Sequence, residues 1–387
     1  MKQRNDLIFP LSEYQRRVHE LRQRLSEHQL DALITTTPEN IFYLSGFESP
    51  GHYYFNAMVV PLEGESFIVP RQLENLGVQE LTWLEHSCPY QDSEDPIKKL
   101  KQSLHKFGLD QKRIGYEKNC WFFTALQQEK LFNACSKSTF VDVSGIIESG
   151  RLIKSDLEIE QMSCAAKSTE AGMRAGIKAV VDGANENDVA AEIHYAMIKA
   201  GSHWPSIVPF VASGPRGAIG HATWMGRKIE PNEFVFLELS GCINRYHAPL
   251  MRTVYTGEPN QVVLAAEQLL QEAMAASISA IKPDATAAEV DAVNREMISN
   301  SQFGAEQASR SAYSVGIGLP PDWGEGHILS LQPGENRVLK ENMTFHLIPW
   351  IQLPGQGGIG FTETVRVTKD GCELLTNFER KLFLQPF

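Results

Sequence analysis

Between residues 12 and 28 the apolar residues Tyr14, Val18, Leu21 and Leu25 recur at spacings of four, three and four. That is one stripe of an amphipathic helix, and Ser12 stands where an N-cap belongs. The run DALITT at 31–36 then reads as a short buried strand. Apolar runs at 58–62 and 66–70 flank Glu63, Gly64 and Glu65 as the arms of a hairpin. IGYE at 114–117 and TFVDV at 139–143 are further strands, separated by helical stretches. Such alternation predicts an α/β domain with helices packed on a sheet.

A long charged helix begins near Lys154, with Ser155 or Asp156 as its cap and Ile159, Met162, Ala166 and Met173 as its inner stripe. The glycine and charge change just before it place a domain boundary near residue 150. Two domains are expected, 1–150 and 151–387. The second shows helices at 185–200 and 261–281, with strands at 233–239, 253–257, 343–353 and 361–368. That mixture predicts an α+β layout. No internal repeat or low-complexity tract is evident.

With 387 residues the chain is long enough to bury a core without disulfide or metal staples. Its 36 basic and 47 acidic residues give a net charge of −11. That balance argues against nucleic acid and against an anionic membrane surface as partners. The first residues carry charges but no apolar core of a signal peptide. The six cysteines are scattered, without a Cys-x-x-Cys pair. A cytoplasmic location with reduced thiols is the expectation.

The chemistry concentrates in the second domain. In SGPRGAIGHATWMGRKI (213–229), His221 stands among glycines, with Trp224 and Arg227 nearby. Strand alternation places Phe234, Phe236 and Glu238 on one face of FVFLELSG, and Val235, Leu237 and Leu239 on the other. A carboxylate on a phenylalanine face is costly unless it is paired or functional. It is either half of a buried ion pair with an arginine such as Arg252, or part of a site. His247 and Arg252 follow near the ends of a β-pair. The segment 312–328, broken by glycine and proline, reads as a long loop bearing Tyr313, Asp322, Trp323, Glu325 and His327. No dinucleotide-binding glycine pattern and no Gly-x-Ser-x-Gly elbow occurs, so nucleotide binding and serine-hydrolase chemistry lack a motif.

As an ordered set, RLIKSDLEIEQM, GHATW, FVFLELSG with YHAPLMRT, GIGL with WGEG, MTFHLIP and TETVRVTKDG resemble the pita-bread family of aminopeptidase P, prolidase, creatinase and ectoine hydrolase. The resemblance spans nearly the whole chain. It implies a creatinase-type α/β N-terminal domain and an α+β pita-bread catalytic domain. Peptidase members carry five metal ligands, and their positions fall here on Glu238, Pro249, Tyr313, Ile348 and Thr362, or on Glu363 if the alignment slips by one. Proline and isoleucine side chains cannot ligate, and a two-metal hydrolase needs carboxylates that clamp both ions. No metal or other cofactor is therefore expected.

The set is most similar to the creatinase–ectoine hydrolase branch, whose members hydrolyse C–N bonds in small zwitterions without metal. Creatinase's proton-shuttling histidine falls on His221. Its two active-site glutamates do not carry over, since Met251 and Ile348 hold their positions. The leading expectation is hydrolysis of a small carboxylated amidine or guanidine, with ectoine as first candidate. His221 would carry the proton. Glu238 would pair with the amidinium, or attack its carbon as nucleophile. Tyr313 and His346 would support the tetrahedral centre, Glu363 completing the catalytic group. Trp224 and Trp323 would cover the cation, with His247, Arg252 and Glu325 as further binding residues. By resemblance to creatinase, Arg71 from a partner subunit would hold the substrate carboxylate in a homodimer. An Xaa-Pro metallopeptidase and a non-catalytic binding protein are the alternatives.

Overall fold

The computed structural model describes residues 2, 4, 6–304, 309–353 and 355–386. It divides into two compact units, Met1–Arg151 and Leu152–Phe387. The N-terminal unit carries helices α1 (Leu11–Glu27), α2 (Pro38–Ser45), α3 (Asn75–Leu81), α4 (Pro96–Lys106), α5 (Ala125–Ala134) and α6 (Glu148–Arg151). Its strands are β1 (Ala32–Thr35), β2 (Ala57–Pro61), β3 (Phe67–Val69), β4 (His86–Ser87), β5 (Arg113–Tyr116) and β6 (Thr139–Asp142). They form one mixed sheet in the order β4-β3-β2-β1-β5-β6, with β2 and β3 as the expected hairpin. Tyr14, Val18, Leu21 and Leu25 are all buried, as their spacing requires. Ser12 is not the cap. The helix begins at Leu11 behind Pro10, whose hydrocarbon ring has no oxygen to make a capping bond but presets φ for the chain entering the helix.

The C-terminal unit opens with α7 (Asp156–Ala179) and α8 (Glu186–Lys199). Ser155 and Glu158 close a reciprocal capping box at the start of α7. Strands β7 (Phe210–Ser213), β8 (Phe234–Ile243) and β9 (Tyr246–Thr256) follow, then α9 (Gln261–Ala280) and α10 (Ala287–Ser299). The remaining strands are β10 (Ala312–Ser314), β11 (Ser330–Leu331), β12 (Thr344–Leu347), β13 (Trp350–Leu353), β14 (Gly357–Gly360), β15 (Glu363–Val367), β16 (Cys372–Leu374) and β17 (Phe383–Gln385). One sheet runs β17-β9-β8-β7, a second β11-β10-β12-β15-β16, and β13 pairs with β14 alone.

Strand alternation decides what each sheet presents. Val235, Leu237 and Leu239 of β8 face outward into a core with Met173 of α7 and Ile193 of α8. Phe345 and Val365 of the second sheet pack in the same way with Met274 of α9 and Val290 of α10. Helix pairs thus cover the outer faces. Phe210, Phe236 and Met251 meet Tyr313 and Trp323 in a separate inner cluster. The apolar run at 343–353 is two strands and not one. Pro349 lacks an N–H for a ladder, so β12 ends before it and β13 joins a different sheet.

Candidate active site

The inner cluster lines a cavity of about 680 Å³ within the C-terminal unit. Glu238, His221, Tyr313, Trp323, Asp322 and Arg310 all reach it. Glu238 projects from β8 on the face carrying Phe236, as alternation predicts, with its side chain 12 % exposed. Among the described residues its carboxyl accepts no hydrogen bond. Burial, reinforced by the charge of Asp322, pushes it up to about 8, so the ligand-free site holds it protonated at neutral pH.

Behind the wall, His346 is fully buried on β12. Its Nδ1 lies 2.8 Å from the Tyr313 hydroxyl and its Nε2 2.6 Å from Thr362 Oγ1. Trp323 Nε1–H donates to the same tyrosine oxygen at 2.8 Å, and the Met251 N–H donates to Thr362 Oγ1 at 2.6 Å. Burial and the charges of Arg310 and Arg252 drive the imidazole down to about 3. It is therefore neutral, and its 4.0 Å approach to Glu238 Oε1 is no ion pair. A neutral imidazole donates from one nitrogen and accepts at the other, so this line fixes the Tyr313 hydroxyl in place. Burial likewise keeps Tyr313 protonated, well above the usual phenol range.

The loops supply the rest. His221 sits at φ 65°, in the left-handed region, and its ring stacks on Phe210 at 5.3 Å. Histidine enters that region more readily than most residues, and the stack on Phe210 places its imidazole in the cavity lining. Trp350 lies across the β13–β14 ribbon. A Cβ at Gly358 would come 2.5 Å from its indole nitrogen, so glycine there lets the ring lie flat.

Several expected site residues lie elsewhere. Arg252 pairs with Leu237 in the β8–β9 register and points away from the cavity, where it donates to Glu363 at 2.7 Å. Arg380 and Thr376 also bind Glu363, so Glu363 and Arg252 form a buried strut and neither meets Glu238. His247 is fully buried; its Nε2 accepts from the Ser206 N–H at 3.3 Å, and its Nδ1 lies 2.9 Å from the Arg245 carbonyl. Burial and Arg245 hold it down to about 3, neutral in its structural bonds. Glu325 pairs with Lys154 at 2.6 Å, both about 1 % exposed, and so anchors its loop. Trp224 packs edge-on to His194 beside the α7–α8 core. Arg71 belongs to the N-terminal unit, where it grips Asp92 at 2.6 Å and covers the Tyr54 ring.

Sequence reasoning gave Arg310, Asp322 and Trp350 no role. Only the glycines of 357–360 opposite a tryptophan hinted at Trp350, and no local pattern marks Arg310.

The family model for metallopeptidase family M24 matches residues 160–369, and that for the creatinase/prolidase N-terminal domain matches 17–153. The chain belongs to metallopeptidase family M24. The ectoine hydrolase of Halomonas elongata is 30 % identical over 402 residues, covering 98 % of this chain and 99 % of that protein. The Xaa-Pro dipeptidase of Pyrococcus furiosus is 27 % identical, with 95 % and 99 % covered. The crystal structure of the Thermococcus sibiricus prolidase superposes with a TM-score of 0.85 at 25 % identity, over 96 % of this chain and 99 % of that one. The pita-bread fold is thereby shared.

The metal centre that the family name implies does not fit this M24 chain. Of the five ligand positions, Glu238 alone offers a carboxylate. Ile348 lines the cavity with hydrocarbon, and Pro249 pairs with Ser240 inside the β8–β9 ladder. Tyr313 and Thr362 are committed to His346. The one-residue slip that would bring in Glu363 is ruled out by register, since Glu363 lies opposite Leu347 and turns to Arg252. Among the described residues no group of three or more His, Cys, Asp or Glu could hold a metal. No helix among them is long and apolar enough to cross a membrane.

Proposed function

We propose that this protein is a metal-independent hydrolase of C–N bonds in a small carboxylated cyclic amidine, ectoine being the first candidate, opened to N-acetyl-diaminobutyrate. One observation carries the reading. The position where peptidases place their first metal-binding aspartate keeps a carboxyl, Glu238, while the other four positions hold groups unable to clamp two ions. The similarity to an ectoine hydrolase supports it.

A protonated amidine is a flat cation. Glu238 ionises against it, and the Trp323 face covers it. Water adds to the amidine carbon as His221 takes one of its protons, and the Tyr313 hydroxyl, held by His346, donates to the oxygen of the tetrahedral adduct. His221 passes that proton to the departing ring nitrogen, the C–N bond breaks, and an amide and a free amine result. Protein dialysed against a chelator and verified metal-free is incubated with ectoine and with Xaa-Pro dipeptides, and products are followed by NMR. Ring opening without dipeptide cleavage is expected. Cleavage of the dipeptides that depends on added manganese or zinc would replace this reading with the peptidase one.

A further inference from the structure

Several arginines of the C-terminal unit are already matched to acids. Arg252 has Glu363, Arg216 has Glu186, Arg227 has Glu233 and Arg295 has Asp291. Arg310 differs. It lines the cavity, and among the described residues no carboxylate pairs with it. Its Nη1 donates to Ser330 Oγ at 3.2 Å, which uses one of five N–H donors.

The guanidinium is nevertheless held firmly. Its Cζ sits 4.4 Å over the Tyr313 ring. Gly326 also lies against it, where a Cβ would come 2.1 Å from Nη1. A planar fork held over a ring and close against a glycine, with its remaining donors unspent beside a cavity, is the geometry that takes a carboxylate in two parallel bonds. The same cavity has Glu238 and Asp322 as its acids. The charges are therefore divided, with acids for a cation and one guanidinium for an anion.

We propose that Arg310 holds the substrate's carboxylate from within the same chain and makes the cavity selective for small zwitterions. This rests on the proposed function for the cationic end and goes beyond it for the anionic one. It also relieves Arg71 of the role of carboxylate anchor, since Arg71 already has Asp92.

The test compares two rings by calorimetry: ectoine, and the same methyl-tetrahydropyrimidine without its carboxylate. The unaltered protein is expected to prefer ectoine by about 10- to 100-fold, the usual worth of hydrogen bonds to a charged group. Arg310→Gln abolishes that preference while binding of the carboxylate-free ring stays unchanged, which also reports an intact cavity. Arg310→Lys keeps part of the preference, as a point charge without the fork. Gly326→Ala, which displaces the guanidinium without removing it, lowers the preference and serves if the glutamine variant does not fold. A preference that survives in Arg310→Gln overturns the proposal, and so does its absence from the unaltered protein. Ring opening is assayed separately. An Arg310-dependent preference without hydrolysis leaves this assignment standing and sinks only the proposed function.

Discussion

Glu238 gives the site a measurable proton balance. Its carboxyl is pushed up to about 8 from an ordinary value of 4.5. At pH 7 roughly one molecule in ten therefore carries the charge in the ligand-free protein. A bound amidinium reverses this, because a cation against the carboxyl favours its ionised form. Binding ectoine at pH 7 should then release about 0.9 proton, and affinity should rise nearly tenfold per pH unit up to about pH 8 before levelling. The same group acts on stability with a definite sign. The folded protein keeps this proton to about pH 8, whereas the unfolded chain loses it near 4.5. Stability from this source is fully present below pH 4.5 and declines as pH rises to 8. The slope is about 1.4 kcal/mol per pH unit, or about 3 kcal/mol lost by pH 7. Glu238→Gln does not titrate, so its stability relative to the parent should climb steadily from pH 5 to 8 while ectoine binding collapses. Calorimetry in buffers of different ionisation enthalpy gives the proton count, and urea melts across pH give the slope. A proton count near zero, together with parallel stability curves for parent and variant, would refute the account. It would make Glu238 an ordinary charged residue.

Five further outcomes are expected. His221→Ala should lower turnover by about 10²–10⁴ and leave the dissociation constant nearly unchanged, since the imidazole moves a proton and holds no part of the ligand. Tyr313→Phe should cost about 10²–10³ in turnover through the lost donor; a fall in melting temperature with unaltered turnover would assign Tyr313 to the scaffold. Lys154→Met removes the ammonium that neutralises Glu325 in the interior, so denaturant titration should show a loss of about 3–5 kcal/mol. Sedimentation should show a homodimer, and Arg71→Ala should leave ectoine affinity within twofold of the parent if Arg310 is the anchor.

How far the sequence reaches is clearest at Glu238 and His346. Period-two alternation alone puts Glu238 on the phenylalanine face of β8, because successive side chains must leave a strand on opposite sides. The apolar stripes of α1 and α7 were legible from an equally local periodicity, as was a cap at Ser155 or Asp156, of which the structure uses Ser155. Glycine around His221 marked a loop able to carry chemistry. Glu363 and Arg252 show where such reasoning stops. Glu363 entered through a one-place slip of the resemblance and Arg252 as a partner for a buried Glu238, but the sequence does not say which charge meets which. The β8–β9 and β12–β15 registers turn both residues to the far side, where they satisfy one another. Arg310, Asp322 and Trp350 join Glu238 from segments more than 70 residues away, each reaching the cavity by strand order and loop path. Local pattern is encoded by steric periodicity over a few residues. The meeting of opposite charges across a cavity depends on long-range pairing, and only the folded chain decides it.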